Sequence, residues 1–249
     1  MSLAAIRDIL DRAAGGGRTI AFWWRDDDAV AASPALERLL DLAGRFGVPA
    51  AIAAIPAELQ PSLPERLRDA PGCRILVHGL AHRNHAPPGR KPAELGEDRP
   101  LSALVSDAEA ALLLAENTAA DALLPILVPP WNRIAPALPA TLPPLGYRGL
   151  SAFGPRRPMP GLTVVNTHLD LVDWRGSRSA VEPGALAHAL SRALEGPHPE
   201  PVGLLTHHLV FDEALWRLTA DLVALLVAHP AVLFPALDAL WAPNGVIEL

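Results

Sequence analysis

Cysteine is almost absent from this sequence. Cys73 is the only one in 249 residues, so no disulfide can close within it and metal binding through a set of thiolates is excluded. Positive charge is also scarce. Lys91 is the sole lysine, Lys and Arg number 21 against 27 Asp and Glu, and the net charge of -6 leaves no basic stretch for a nucleic acid or an anionic membrane. Long apolar runs are missing as well. The richest one, Leu218 to Trp241, is broken by Asp221, His229, Pro230, Pro235 and Asp238, so no membrane span is expected. Arg7 and Asp8 interrupt the apolar N-terminal stretch, which therefore lacks the core of a secretory signal; a cytoplasmic location is the expectation.

What is present is core-forming material. Half of the residues are hydrophobic, and the length suits one α/β domain over 1–249. Strand-length apolar runs recur at Thr19 to Trp24, Ala50 to Ile55, Cys73 to Val77, Leu123 to Val128, Arg148 to Phe153, Leu162 to Asn166 and Val202 to Thr206. Several are continuous instead of alternating, as parallel strands covered on both faces should be. Helical patterns lie between them. Ile6, Ile9, Leu10 and Ala13 share one face before Gly15 to Gly17. Ser33-Pro34 caps a second helix whose Leu36, Leu39, Leu40 and Ala43 line one side until Gly47. Ser102 to Asn117, Pro183 to Leu194 and Asp212 to Ala228 follow, the last expected to be the longest. Such alternation implies a parallel sheet, open or closed into a barrel. Ala86 to Pro100, rich in proline, glycine and charge, reads as a loop over the crevice at the strand ends.

Three polar clusters follow apolar runs: Trp24-Arg25-Asp26-Asp27-Asp28, His78-Gly79-Leu80-Ala81-His82, and Thr206-His207-His208. Side chains at the carboxyl ends of parallel strands converge on one crevice. Three adjacent aspartates raise one another's pKa unless a cation is near, and a divalent metal removes that cost; the alternative is a solvated turn or a cap for the helix after Ser33. His78 and His82, four residues apart, can present two imidazoles to one metal, or be structural. Neighbouring strand residues face opposite sides, so only one of His207 and His208 should face the crevice. Asp170 and Asp173-Trp174 form a weaker fourth cluster, where an aspartate could orient a histidine and a tryptophan could wall a pocket.

In this order, over about Ile20 to Phe234, these residues resemble the polysaccharide deacetylase family, also called the NodB-homology or carbohydrate esterase family 4 group. The resemblance rests on the ordered set. Arg25-Asp26-Asp27-Asp28 is similar to the family's first motif, His78-x-x-x-His82 to its second, Val128-Pro129-Pro130-Trp131 to its third, Asp173-Trp174 to its fourth and Leu205-Thr206-His207 to its fifth. It implies a distorted (β/α) barrel of about seven parallel strands, TIM-barrel-like. It also implies a hydrolase that removes an acyl group, such as acetyl, from an N-acetylated sugar, polysaccharide or related amide. One divalent metal, zinc with cobalt, nickel or iron as alternatives, would sit on Asp28, His78 and His82. Asp27 would be the base and His207 the acid, with Asp173 orienting His207. A backbone N–H near Trp131 would face the oxyanion, and Trp174 and Leu205 would shape the acetyl pocket. Two departures stand out. The third motif opens on Val128 where the family has arginine, so the group orienting the base must come from elsewhere, with Arg25 and Arg133 as candidates. The triple aspartate also leaves the register open between Asp26/Asp27 and Asp27/Asp28; Arg25, two residues from Asp27 on the same strand face, favours the second. A catalytically degenerate saccharide binder and a non-haem iron oxygenase, whose ligand set is also two histidines and a carboxylate, are the rival readings.

Overall fold

The computed structural model describes residues 2–195 and 200–242. Chain order is α1 (Ala4–Gly15), β1 (Ile20–Ala29), α2 (Pro34–Phe46), β2 (Ala50–Ala54), α3 (Ser62–Leu67), β3 (Arg74–His78), α4 (Leu101–Ala119), β4 (Leu123–Val128), β5 (Gly149–Leu150), β6 (Thr163–Val164), β7 (Thr167–Asp170), α5 (Pro183–Leu194), β8 (Val202–Thr206), α6 (Glu213–Val227), β9 (Val232–Leu233) and α7 (Leu237–Leu240). Strands pair in parallel in the order β6-β5-β4-β3-β2-β1-β8-β7, and β9 adds to β1.

The segment from Thr163 to Asp170 changes partners along its length, so the strand expected over Leu162 to Asn166 is seen as β6, and a second strand, β7, follows beyond its expected end. Its first part, β6, pairs with β5; its second, β7, pairs with β8. Thr167 N–H also donates to Ala152 O (3.0 Å) and Gly154 N–H to Thr167 O (2.8 Å), so the sheet curls back on itself as a distorted barrel. The chain therefore has the parallel α/β barrel architecture expected of it, with seven staves, the sixth split, and β9 as a short addition.

Local chemistry sets the helix ends. Ser33 Oγ accepts from Leu36 N–H (3.1 Å), Pro34 opens α2, and Gly47 at φ 65° closes it. Leu36, Leu39, Leu40 and Ala43 of α2 then bury against Phe22, Trp24, Ala50 and Ile52 on the outer face of the sheet. Each of the three leucines contributes about 1.5–3 kcal/mol on burial. Asp212 caps α6 through Leu215 N–H (2.9 Å). At 19 residues α4 exceeds the 15 of α6, because the helical run extends past the expected 102–117 at both ends.

The inner face is filled differently at its two ends. Trp23, Ala51, Leu76, Ile126 and Val128 pack there with Leu237, Leu240 and Trp241 of the α7 region. Trp23 and Trp241 meet edge to face at 5.3 Å. Further along β1 the apolar filling stops, and the inward residues become Arg25 and Asp27.

Candidate active site

β1 does not end at Trp24. It runs through all three aspartates to Ala29, since each carboxylate finds its own partner and the ladder to β2 and β8 need not break. Asp26 pairs with Thr206 of β8 and faces the outer layer. There it accepts from Thr206 Oγ1 (2.6 Å), from His208 N–H (3.0 Å) and from the His208 ring at Nδ1. Trp24 Nε1–H completes the chain by donating to Thr206 Oγ1 (2.8 Å). His208 is thus buried behind the sheet, away from the crevice. Burial works against its protonation, but the Asp26 carboxylate outweighs that and raises its pKa above the ordinary histidine value.

Arg25 and Asp27 face inward as a buried pair, 0% and 2% exposed. Arg25 Nε donates to Asp27 Oδ1 (2.8 Å) and Nη2 to Oδ2 (3.0 Å), a two-pronged grip. The remaining guanidinium hydrogens reach Ser151 O (3.1 Å), Ser151 Oγ (2.7 Å), Ala152 O (3.2 Å) and Asn132 Oδ1 (2.8 Å). Arg133 instead donates to Pro92 O (2.6 Å) and pins a loop. Of the two arginines that could orient Asp27, Arg25 is the one that does.

Asp28 escapes the alternation. Asp26 registers with Ile52 and Ala29 with Ala54, so one extra residue is accommodated as a bulge, and Asp28 takes φ 76°. Its carboxylate is thereby aimed along the strand end, where Oδ1 lies 3.1 Å from His78 Nε2 and 3.3 Å from His82 Nε2. His78, the last residue of β3, is buried, and its Nδ1 lies 3.0 Å from Val128 O. A carbonyl only accepts, so Nδ1 carries a hydrogen, and Nε2 is the nitrogen that faces Asp28, where a proton or a metal ion can bridge the two. His82 sits past the strand at φ 52°, its ring tilted by 50° against Trp131 at 4.2 Å between ring centres.

The donor atoms of Asp28, His78 and His82 all lie within 4.8 Å of one another. Three donors about 2.0–2.1 Å from a tetrahedral ion stand about 3.3 Å apart, and the two carboxylate-to-imidazole distances match that. The residues therefore fit a divalent metal. Burial raises the Asp28 carboxyl pKa, but the hydrogen bond and charge of His78, with His207 and His82, overcome it and hold that pKa well below the usual carboxylate range. Burial likewise disfavours His78 protonation, yet Asp27 and Asp28 raise its pKa; His82, with burial and the His78 charge against it, is lowered.

His207 follows β8 on the crevice side. Its Nδ1 is buried without a hydrogen-bond partner among the described residues, and its ring meets Trp174 edge to face at 4.9 Å. Asp173 is not its neighbour. The Asp173 carboxylate accepts from Gly176 N–H (3.0 Å) and Ser177 N–H (2.9 Å), closing an exposed turn. The aspartate beside His207 is Asp170, at the end of β7, which accepts from Trp174 Nε1–H (2.9 Å) and Val172 N–H (3.0 Å). Burial pushes the Asp170 carboxyl pKa up, against the charge of His207. Of the fourth cluster, Trp174 and Asp170, four residues earlier, are the members that meet His207. Leu205 registers with Arg25 and shares its inward face.

Sequence reasoning missed Asn132, Ser151 and Glu94. Ser151 directly follows a strand, a position that could have flagged it; Asn132 lies beside the third motif. Glu94 sits inside an irregular loop with no pattern to mark it. Four of the five described non-glycine residues at positive φ (Asp28, His82, Trp131 and Asn132) belong to this site. Backbone strain of this kind, about 1–3 kcal/mol per residue, persists where surrounding structure enforces it.

No protein-family model and no curated protein matches the sequence. Solved structures do match the fold. A family 4 carbohydrate esterase from Streptomyces lividans, in complex with acetate, aligns over 86% of this chain and 91% of its own at 16% identity and TM-score 0.57. The peptidoglycan deacetylase PdaC from Bacillus subtilis aligns over 89% and 90% at 13% identity and TM-score 0.57. The chain has the polysaccharide deacetylase fold. A family 4 acetyl xylan esterase from Clostridium thermocellum, in complex with a cobalt ion, aligns over 88% and 89% at 15% identity and TM-score 0.54. Within this deacetylase fold the clusters read from the sequence meet at the strand ends, and among the described residues no helix is long and apolar enough to cross a membrane.

Proposed function

We propose that the protein is a metal-dependent hydrolase that removes an acetyl or related acyl group from an N-acetylated sugar, polysaccharide or similar amide. The observation carrying this reading is the junction on β1, where an Asp27 held by Arg25 adjoins the Asp28, His78 and His82 donors. Asp28, His78 and His82 would hold the ion, with zinc, cobalt, nickel and iron all suited to such donors. A divalent metal there supplies Lewis acidity, acidifying a water and polarising the amide carbonyl.

Asp27 takes the proton of the attacking water. Both its oxygens bond to Arg25, but each keeps a further lone pair for that proton, and the two-pronged grip fixes their direction. The carbonyl oxygen gains negative charge as the C–O bond forms, and the backbone N–H near Trp131 would face it. His207 then delivers a proton to the amine as the C–N bond breaks. Trp174 fixes the His207 ring by edge contact, and Asp170 holds the Trp174 indole from behind by accepting its Nε1–H. Leu205 and Trp174 wall the space for the acyl methyl. The degenerate-binder reading draws on the arginine missing from the third motif, and Arg25 fills that role from β1. Strand–helix alternation in a parallel barrel also disfavours the iron oxygenase reading.

The deciding experiment measures acetate release from N-acetylated chito-oligosaccharides by metal-stripped protein resupplied with zinc or cobalt. Release should depend on the metal, and Asp27→Asn should abolish it while the metal stays bound. Full activity in Asp27→Asn would rule out the assignment.

A further inference from the structure

Two of the three candidate ligands have evident means of support. Asp28 is aimed by the bulge in β1, and His78 is fixed by β3 and by Val128 O. His82 has neither. It lies four residues beyond His78 on a turn outside the sheet, at a φ of 52° that few non-glycine residues adopt, and it is only half-buried.

The backbone of that turn converges on one side chain. Glu94 Oε1 accepts from Ala81 N–H (2.9 Å) and Arg83 N–H (3.2 Å), and Oε2 accepts from Leu80 N–H (3.0 Å). Glu94 is 1% exposed, and among the described residues no cation forms an ion pair with it. A buried carboxylate satisfied by peptide N–H groups sets their directions, and with them the path of the chain. Gly79 makes this possible. Its φ is 60°, and a Cβ there would stand 2.0 Å from Glu94 Oε2 and 2.6 Å from Pro130 Cγ. Glu94 is itself tethered: Asn84 Oδ1 accepts from Ala93 N–H (3.0 Å), Arg133 donates to Pro92 O, and Leu95 O accepts from Ala135 N–H (2.7 Å).

We propose that Glu94 is a positioning residue of the metal centre, its carboxylate holding the 79–83 turn in the conformation that brings His82 Nε2 to Asp28 and His78. The inference rests on the metal-site reading above. With Glu94 at its middle, the Ala86 to Pro100 loop supplies from outside the barrel the support that the sheet cannot give the second histidine.

The test titrates cobalt(II) into chelator-stripped full-length protein, followed by visible absorption and calorimetry, beside a urea unfolding curve for each metal-free protein. Glu94→Gln keeps the shape but replaces one accepting oxygen with an NH₂ donor, so it cannot serve all three N–H groups. Gly79→Ala leaves the carboxylate chemically intact and displaces it, so the contact remains testable if either variant fails to fold. Cobalt affinity should fall about 10- to 100-fold in both, with an altered cobalt spectrum. A purely structural Glu94 would lower only the urea midpoint. Wild-type cobalt affinity and spectrum in a folded variant would overturn the inference. Failure of the wild-type protein to bind cobalt would overturn the metal-site reading and this inference with it.

Discussion

Arg25→Met is the sharpest probe of the site. The substitution keeps an unbranched apolar stem in place and removes the guanidinium, which donates to both oxygens of Asp27, to Ser151, to Ala152 O and to Asn132 Oδ1. Asp27, at 2% exposure, is then left as a buried carboxylate without its cation. Removing one partner of a buried ion pair typically costs about 3–5 kcal/mol. Against a total stability of about 5–15 kcal/mol that is a large share, and in a chain of this size it corresponds to a melting point lower by about 6–20 °C. Urea unfolding of metal-free wild type and variant measures it. Adding Asp27→Asn should restore part of the loss, because the orphaned charge is gone, with a coupling of roughly 1–3 kcal/mol in the double-mutant cycle. Arg25→Lys should fall between, since an ammonium cannot match the two-pronged geometry. Acetate release should drop about 10²- to 10⁴-fold in Arg25→Met, the range over which a positioned base contributes. A stability loss below about 1 kcal/mol, or a cycle without coupling, would refute the pairing argument.

Two further predictions concern the neighbouring aspartates. His208 has its pKa raised in the folded state by Asp26, despite burial, so its contribution to stability is complete below the unfolded value of about 6.5 and is lost as pH rises through the folded pKa. Asp26→Asn should therefore be less stable than wild type at pH 6 and close part of that gap as pH increases; parallel unfolding profiles across pH 6–9 would contradict this. Asp170→Asn should lower kcat about tenfold with cobalt affinity unchanged, less than the roughly 10²- to 10⁴-fold of a group that itself transfers the proton. Asp173→Asn should change neither, and equal losses in the two variants would return Asp173 to the site.

The barrel was legible because its strands are continuous apolar runs separated by well-capped helices, as with Ser33-Pro34 and Gly47 around α2. His78 and His82 were legible because their spacing is written in side chains. The register of the three aspartates was not, since identical residues carry no internal marker; the bulge that turns Asp28 toward the histidines is a property of β1 against β2. Asp173 misled because it adjoins Trp174 in sequence, whereas β7 ends at Asp170 and the Trp174 indole folds back four residues to meet it. Glu94 was invisible because the groups it holds are peptide N–H groups, which every residue but proline possesses.

The pairing of Arg25 with Asp27 has a consequence for how this scaffold can change. Both groups ride on one strand, two residues apart, so Asp27 carries its own orienting cation as a cassette. The segment after β4, which bears Trp131, lends only Asn132 to that cassette. Exchange of that segment would cost the cassette one hydrogen bond and leave the Asp27 carboxylate aimed, whereas His82 would lose its contact with Trp131.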